Sequence, residues 1–201
     1  MILALSPHTD DIEFGCGGSL IKWKEEGHDI HVVAFSTCEE SLLEGWDKKS
    51  TNEEFIKSMS LIKATYDILS YPVRRFDEHR QNILEDIVRI KKEVKPDITL
   101  IPSLQDYHQD HYLIAKEATR AIKGNLLSYE LHNIGFKPNF YVELTRRHVN
   151  KKIGLTHCYR SQIAKGRKMF DDEYVYGLAK IRGGEMEKDY AEGFEVIKWL
   201  Y

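Results

Sequence analysis

Short apolar runs alternate with stretches whose apolar residues recur every three or four positions, and the alternation persists along most of the chain. Ile2–Leu5 is the first run, long enough for a short buried strand. After Gly15, Gly17 and Gly18, the positions Leu20, Ile21 and Trp23 predict a helix stopped by Gly27-His28. The β-branched stretch from Asp29 to Thr37 predicts a second strand. Residues 47–64 carry Phe55, Met59 and Ile62 at helical spacing, with Ser50 or Thr51 as cap and Glu53 and Glu54 in the first turn. Tyr66–Val73 predicts a third strand; residues 79–94 predict a helix through Ile83, Ile87 and Ile90, ended by Lys95-Pro96-Asp97. Ile98–Pro102 follows as a fourth strand and 111–123 as a helix. Leu126–Leu131 and Phe140–Leu144 read as later strands, and 146–165 and 172–182 as helices.

Strands separated by helices of this length predict an α/β fold, a Rossmann-like three-layer α/β/α sandwich with a mainly parallel sheet. One domain over residues 1–201 is expected, because no composition shift or Pro/Gly/Ser-rich stretch divides the chain. Such sheets bind ligands beyond the carboxyl ends of their strands, where chain order reverses. Two polar clusters fall at such ends: His8, Asp10 and Asp11 after the first strand, and Asp106, His108, Asp110 and His111 after the fourth. If those strands are neighbours, the clusters face each other across one crevice.

Composition narrows the partners. There are 29 basic and 32 acidic residues, for a formal net charge of -3, and neither sign forms a long block. That balance points to neither nucleic acid nor an anionic membrane surface. No window approaches the ~20 apolar residues of a membrane span, and the first apolar run is too short for a secretory signal. Cys16, Cys38 and Cys158 are odd in number and widely spaced, which argues against a disulfide framework and for a reducing, cytoplasmic setting. Cys16 could be a soft metal ligand, but a small apolar residue between glycines is the plainer reading.

Ionisable groups crowded at a strand end are costly unless something uses them. Histidines at 108 and 111 share a face if their segment is helical. With His8 and Asp11 they supply the mixed imidazole and carboxylate donors that hold a catalytic zinc while leaving one position to water.

The same residues carry a resemblance. Pro7-His8-Thr9-Asp10-Asp11, then Gly15-Cys16-Gly17-Gly18, then His108-Gln109-Asp110-His111 are similar in order and spacing to the signature of the PIG-L/LmbE-type zinc-dependent N-deacetylases, which remove acetyl groups from amino-sugar conjugates. Later echoes are His157 with Ser161-Gln162, and Tyr190-Ala191-Glu192-Gly193-Phe194. The resemblance implies His8, Asp11 and His111 as metal ligands, Asp10 as general base, and His108 as a cationic oxyanion donor oriented by Asp110. It implies Zn2+ as cofactor, although these donors also accept Fe2+ and other divalent ions. An N-acetylated sugar is the implied substrate, and the resemblance allows a homo-oligomer.

The chain departs from that pattern in places. Thr9 stands where proline is usual, Ile12 where glutamate is frequent, and Glu187 where glycine is common. Thr51 stands where many members place an arginine that contacts substrate, so substrate identity is affected more than chemistry. Asp106 has two readings, orienting a catalytic histidine from beside the substrate or capping the helix that begins near His108. Arg182 matches a family arginine and either meets an anionic or sugar part of the substrate or forms a surface ion pair. Leu42, Leu43 and Trp46, in the segment from Glu39 to Trp46, either shape the substrate pocket or pack locally. His28, His31, His79, His132 and His148 lack comparable partners and read as surface or core residues.

Two rivals come from other classes. A glycine-rich turn after a first strand, with Glu39 and Glu40 about twenty residues on, resembles a dinucleotide-binding module. However, Leu20 stands where the third glycine belongs, and His8, Asp10 and Asp11 fill the turn a pyrophosphate needs. The other rival is a catalytically silent metal- and sugar-binding protein, against which Asp10 speaks. Metal analysis separates the first rival: one equivalent of zinc is expected in purified protein and is expected to be lost on His8→Ala, whereas tight retention of NAD by metal-free protein would establish the nucleotide-binding module.

Overall fold

β1 (Ile2–Ser6) is buried along its whole length and lies parallel to β2 (Ile30–Ala34) on one side and β4 (Ile98–Pro102) on the other. The computed structural model describes residues 1–131 and 135–200; His132 lies outside the described residues. β3 (Thr65–Ile68) continues the sheet beyond β2, and β5 (Asn125–Tyr129) continues it beyond β4. β6 (Phe140–Leu144) and β7 (Tyr190–Lys198) complete the order β3-β2-β1-β4-β5-β7-β6, with β7 antiparallel to both of its neighbours. Chain order therefore reverses between β1 and β4, as the placement of the two polar clusters required.

The helices are α1 (Asp11–Glu25), α2 (Ser50–Ile62), α3 (Arg80–Val94), α4 (Gln109–Ala121), α5 (Arg146–Thr156), α6 (Arg160–Ile163) and α7 (Asp172–Gly184). Alternate residues of β1 feed two cores, which makes the sandwich three-layered. Ile2 and Ala4 join Phe55, Met59, Val149, Ile153 and Val175 from α2, α5 and α7. Leu3 and Leu5 join Ile83, Ile87, Ile90, Ile114 and Ala118 from α3 and α4.

Three elements differ from the sequence expectation. α1 starts at Asp11 instead of after Gly18, and every residue from Asp11 to Ile21 is buried. A helix covered on all sides leaves no apolar stripe to read, and its glycines look like a turn. They serve close packing: a Cβ on Gly15 would lie 2.2 Å from Tyr129 Cδ2, and one on Gly18 would lie 2.6 Å from Leu144 Cδ1. The second difference is β7, whose run of Glu192, Gly193 and Glu195 lacks the apolar alternation of a half-buried strand. The helix expected over 146–165 divides into α5 and α6.

β7 also repairs α1. The helix breaks at Cys16 (φ -147°, ψ 16°), which frees backbone N–H groups inside the core. The Glu192 carboxylate accepts from Gly18 N at 3.0 Å and Ser19 N at 2.6 Å, and Lys152 Nζ balances its charge at 2.6 Å. Both members of that ion pair are buried. Glu192→Ala is expected to lower unfolding free energy by about 3–5 kcal/mol, because it strands a buried lysine and two amides. Chemical denaturation measures this, and a loss below about 1 kcal/mol would remove the role assigned to Glu192.

Candidate metal centre

The loop leaving β1 and the first turn of α4 meet at the β1/β4 switch point. His8 Nδ1, Asp11 Oδ2 and His111 Nε2 lie 3.2 Å (His8–Asp11), 3.3 Å (His111–Asp11) and 3.1 Å (His8–His111) apart. Zinc held tetrahedrally by ligands 2.0–2.1 Å away needs ligand atoms about 3.3–3.4 Å apart, so these three fit one face of its coordination shell.

The protonation pattern agrees with that fit. His8 Nε2 lies 3.0 Å from Asp110 Oδ2, and His111 Nδ1 lies 2.9 Å from Asp106 Oδ2. Each carboxylate holds a ring N–H, so the opposite nitrogen of each neutral imidazole is a lone pair. Two imidazole lone pairs and a carboxylate oxygen therefore converge within 3.3 Å. Such convergence is unfavourable unless a cation or an added proton occupies it. Burial alone would lower His111, but Asp11 and Asp106 carry it up to about 10, and burial is likewise outweighed at His8 by Asp11 and Asp110. Asp11 is held well below the usual carboxylate range, its burial outweighed by His111 and His8. His108 also brings a ring nitrogen into a group with those of His8 and His111, all within 4.8 Å of one another.

His108 has another assignment. It caps α4, its Nδ1 accepting from Asp110 N at 3.2 Å, which leaves the proton on Nε2. Burial, then the charges of His8 and His111, push its pKa down to about 4. With Nδ1 engaged by the Asp110 amide, its Nε2 is the nitrogen left to face the cavity as a donor.

Other expected residues also move. Asp110 does not orient His108, from whose Nδ1 its Oδ2 lies 4.0 Å; it holds His8 and accepts from Arg74 N at 2.6 Å. Asp106 is buried beneath His111 and accepts from His108 N at 2.9 Å, so it orients and caps but does not line the cavity. Arg182 pairs with Glu130 at 2.6 Å and Glu185 at 2.7 Å, away from the cavity lining, so it is an internal tie and not a substrate contact. Leu42, Leu43 and Trp46 are not among the lining residues; Ser41 of the same segment and Cys38 just before it are. Cys16 packs in the core, and Thr51 donates to Thr37 O at 2.5 Å from a buried position outside the lining.

Asp10 lines the cavity, and burial with the neighbouring charge of Asp11 raises its pKa to about 6. Its loop is held from below: Tyr159 OH lies 2.5 Å from Thr9 O and 2.6 Å from Glu13 Oε1. Burial pushes Glu13 up to about 8, even with hydrogen bonds from Ser58 and Tyr159. Glu13 and Tyr159 escaped the sequence reading; the available signal was a glutamate inside an otherwise apolar, glycine-rich stretch. Ser161 is anchored through N and Oγ to Glu54 at 2.8 and 2.6 Å, which sets Gln162 in the cavity wall. The cavity measures about 480 Å³, the size of a small-ligand site.

Residues 3–122 match the family model described as GlcNAc-PI de-N-acetylase, PIG-L. The chain belongs to the PIG-L family. A PIG-L relative, the uncharacterized deacetylase YaiS of Escherichia coli K12, is 26% identical over 174 residues, covering 80% of this chain and 90% of that protein. Among solved structures, the 4-carboxy-2-hydroxymuconate hydratase GalB of Pseudomonas putida KT2440 superposes with a TM-score of 0.83 at 21% identity, covering 100% of this chain and 97% of that one. The N,N'-diacetylchitobiose deacetylase of Pyrococcus horikoshii gives 0.78 at 18% identity, covering 98% and 83%. These two likenesses establish the shared fold. Among the described residues, no helix is long and apolar enough to cross a membrane.

Because Asp106 and Asp110 fix the imidazole tautomers, Asp106→Asn and Asp110→Asn are each expected to weaken zinc binding ~10–100-fold. Competition with a chromogenic chelator measures this, and affinities equal to wild type would remove the tautomer argument.

Proposed function

We propose that this PIG-L family member is a zinc-dependent N-deacetylase that hydrolyses the acetamide of an N-acetylglucosamine-type amino sugar or its conjugate. The observation that supports it most is the convergence of His8 Nδ1, Asp11 Oδ2 and His111 Nε2 at the wall of a cavity that also presents Asp10 and His108. His8, Asp11 and His111 would hold the ion. Zinc, when bound, would lower the pKa of water to about 7 and polarise the amide carbonyl.

The chain's own groups supply the remaining chemistry. Asp10 takes the proton from the attacking water and returns it to the amide nitrogen, which leaves poorly unless protonated. A carboxyl raised to about 6 remains largely ionised at neutral pH and is a better proton acceptor than an ordinary aspartate. His108 Nε2–H donates to the developing oxyanion, a contribution on the order of 3–4 kcal/mol for a well-placed donor. Cytoplasmic location belongs to the same proposal and is supported by three buried free thiols at Cys16, Cys38 and Cys158.

A hydratase reading has one observation in its favour, the fold shared with GalB over the whole chain. It requires water to add to a carbon–carbon double bond and releases no acetate. Zinc-loaded protein is therefore expected to liberate acetate and primary amine in equal amounts from a member of a panel of N-acetylglucosaminyl compounds. Asp10→Asn is expected to keep the metal while kcat falls ~10²–10⁴-fold, whereas His111→Ala loses both metal and turnover. Undiminished turnover in Asp10→Asn would overturn the mechanism.

A further inference from the structure

The cavity lining carries groups of both signs. His8, Asp10, Asp11 and His111 are part of it, and Gln162, Arg167, Lys168 and Met169 bring two cations to it. The arginines Arg75, Arg80, Arg89, Arg120, Arg147 and Arg182 are each held by a carboxylate. Arg167 is exposed to the cavity and, among the described residues, has no ion-pair partner. Lys168 pairs with Asp171 at 3.2 Å. An unpaired guanidinium at a binding cavity is a bidentate donor awaiting an anion.

Arg167 is also held in place. On one side Ser161 is tied to Glu54, and Lys165 Nζ donates to Gln162 Oε1 at 2.7 Å. On the other, a 3-10 turn over 168–170 buries Phe170 edge-on against Phe14, with ring centroids 4.5 Å apart. A segment anchored at both ends leaves only the Arg167 side chain, and not its backbone, to be ordered on binding. Arg167 is also near enough to Asp10 for its charge to act on that carboxylate, so a ligand contacting Arg167 also lies within reach of the proposed chemistry. Thr51 turns its hydroxyl to Thr37 O, so α2 offers no cation from that position.

We propose that Arg167, aided by Lys168, binds an anionic substituent of the substrate, and that the substrate class is an N-acetylated amino sugar bearing a phosphate or carboxylate. The identity of the scissile amide rests on the deacetylase reading above; the anion subsite rests on Arg167 alone.

The test measures binding apart from turnover. In the zinc-loaded Asp10→Asn background, calorimetry compares N-acetylglucosamine with its 1-phosphate, its 6-phosphate and N-acetylmuramic acid, and the phosphate and carboxylate arms identify the anion. At least one anionic sugar is expected to bind ~10–100-fold more tightly than the neutral sugar, the range for a charge-assisted pair. Arg167→Ala is expected to collapse that preference to within about threefold, Arg167→Glu to reverse it, and Arg167→Lys to keep part of it. A preference unchanged in Arg167→Ala, equal loss of neutral and anionic binding, or no anion preference at the outset would each overturn the subsite. Anion preference that depends on Arg167, without acetate release from any amide by the Asp10 enzyme, would uphold the subsite and remove the deacetylase reading. Acetate release without anion preference would do the reverse.

Discussion

Three lone pairs within 3.3 Å of one another, on side chains that are almost wholly buried, are the constraint around which this molecule is arranged. Neighbouring dipoles pointing their negative ends at one spot repel, and burial removes the solvent that would screen them. The protein enforces the arrangement from behind, through Asp110 on His8 and Asp106 on His111. With Asp10 and Asp11 nearby, the region holds more carboxylate than imidazole, an excess of negative charge that a cation or added protons would relieve. The parallel pairing of β1 and β4 makes this geometry available, because it brings loops about a hundred residues apart in sequence to one edge of the sheet.

The precision of that edge depends on parts far from it. α1 must begin at Asp11 and also pack within touching distance of β5, which the small Gly15 beside Tyr129 permits. Tyr129 OH in turn bonds to Leu5 O at 2.8 Å and ties β5 across to β1. The break at Cys16 would leave amides unsatisfied without Glu192, so the last strand of the chain stabilises the helix that carries the first motif. Tyr159 and Glu13 clamp the Thr9 carbonyl from below. A buried polar network of this kind gains from being complete, since each missing partner leaves a desolvated group behind.

The two kinds of cavity-lining group come from different elements. His8, Asp10, Asp11, His108 and His111 sit on the β1 loop and at the start of α4, both rooted in the parallel sheet. Arg167 and Lys168 come from the segment after α6, which is anchored by Glu54 and Phe170 but lies outside the sheet. A fold divided in this way can keep the histidine and aspartate edge while the rest of the lining changes charge and shape. Proteins that share this fold carry names of different activities, deacetylases and a hydratase.

Much was legible from residue order alone. Apolar periodicity located the parallel strands and most helices, since each buries a face whose period survives in the sequence. The spacing of His8, Asp10, Asp11, His108 and His111 identified the residues that meet at the switch point. What remained hidden depended on contacts between distant segments. α1 is buried all round and β7 is patterned by its partners, so neither shows a periodic stripe. The partner of Asp110, the partner of Arg182 and the protonation of His108 are set by distances of a few ångströms between elements, and spacing along the chain does not encode these. Sequence by itself determined which donors this protein possesses and at which strand ends they stand; tertiary structure alone decided which carboxylate backs which imidazole and which cation faces the cavity, because charge interactions depend on separation and burial in space.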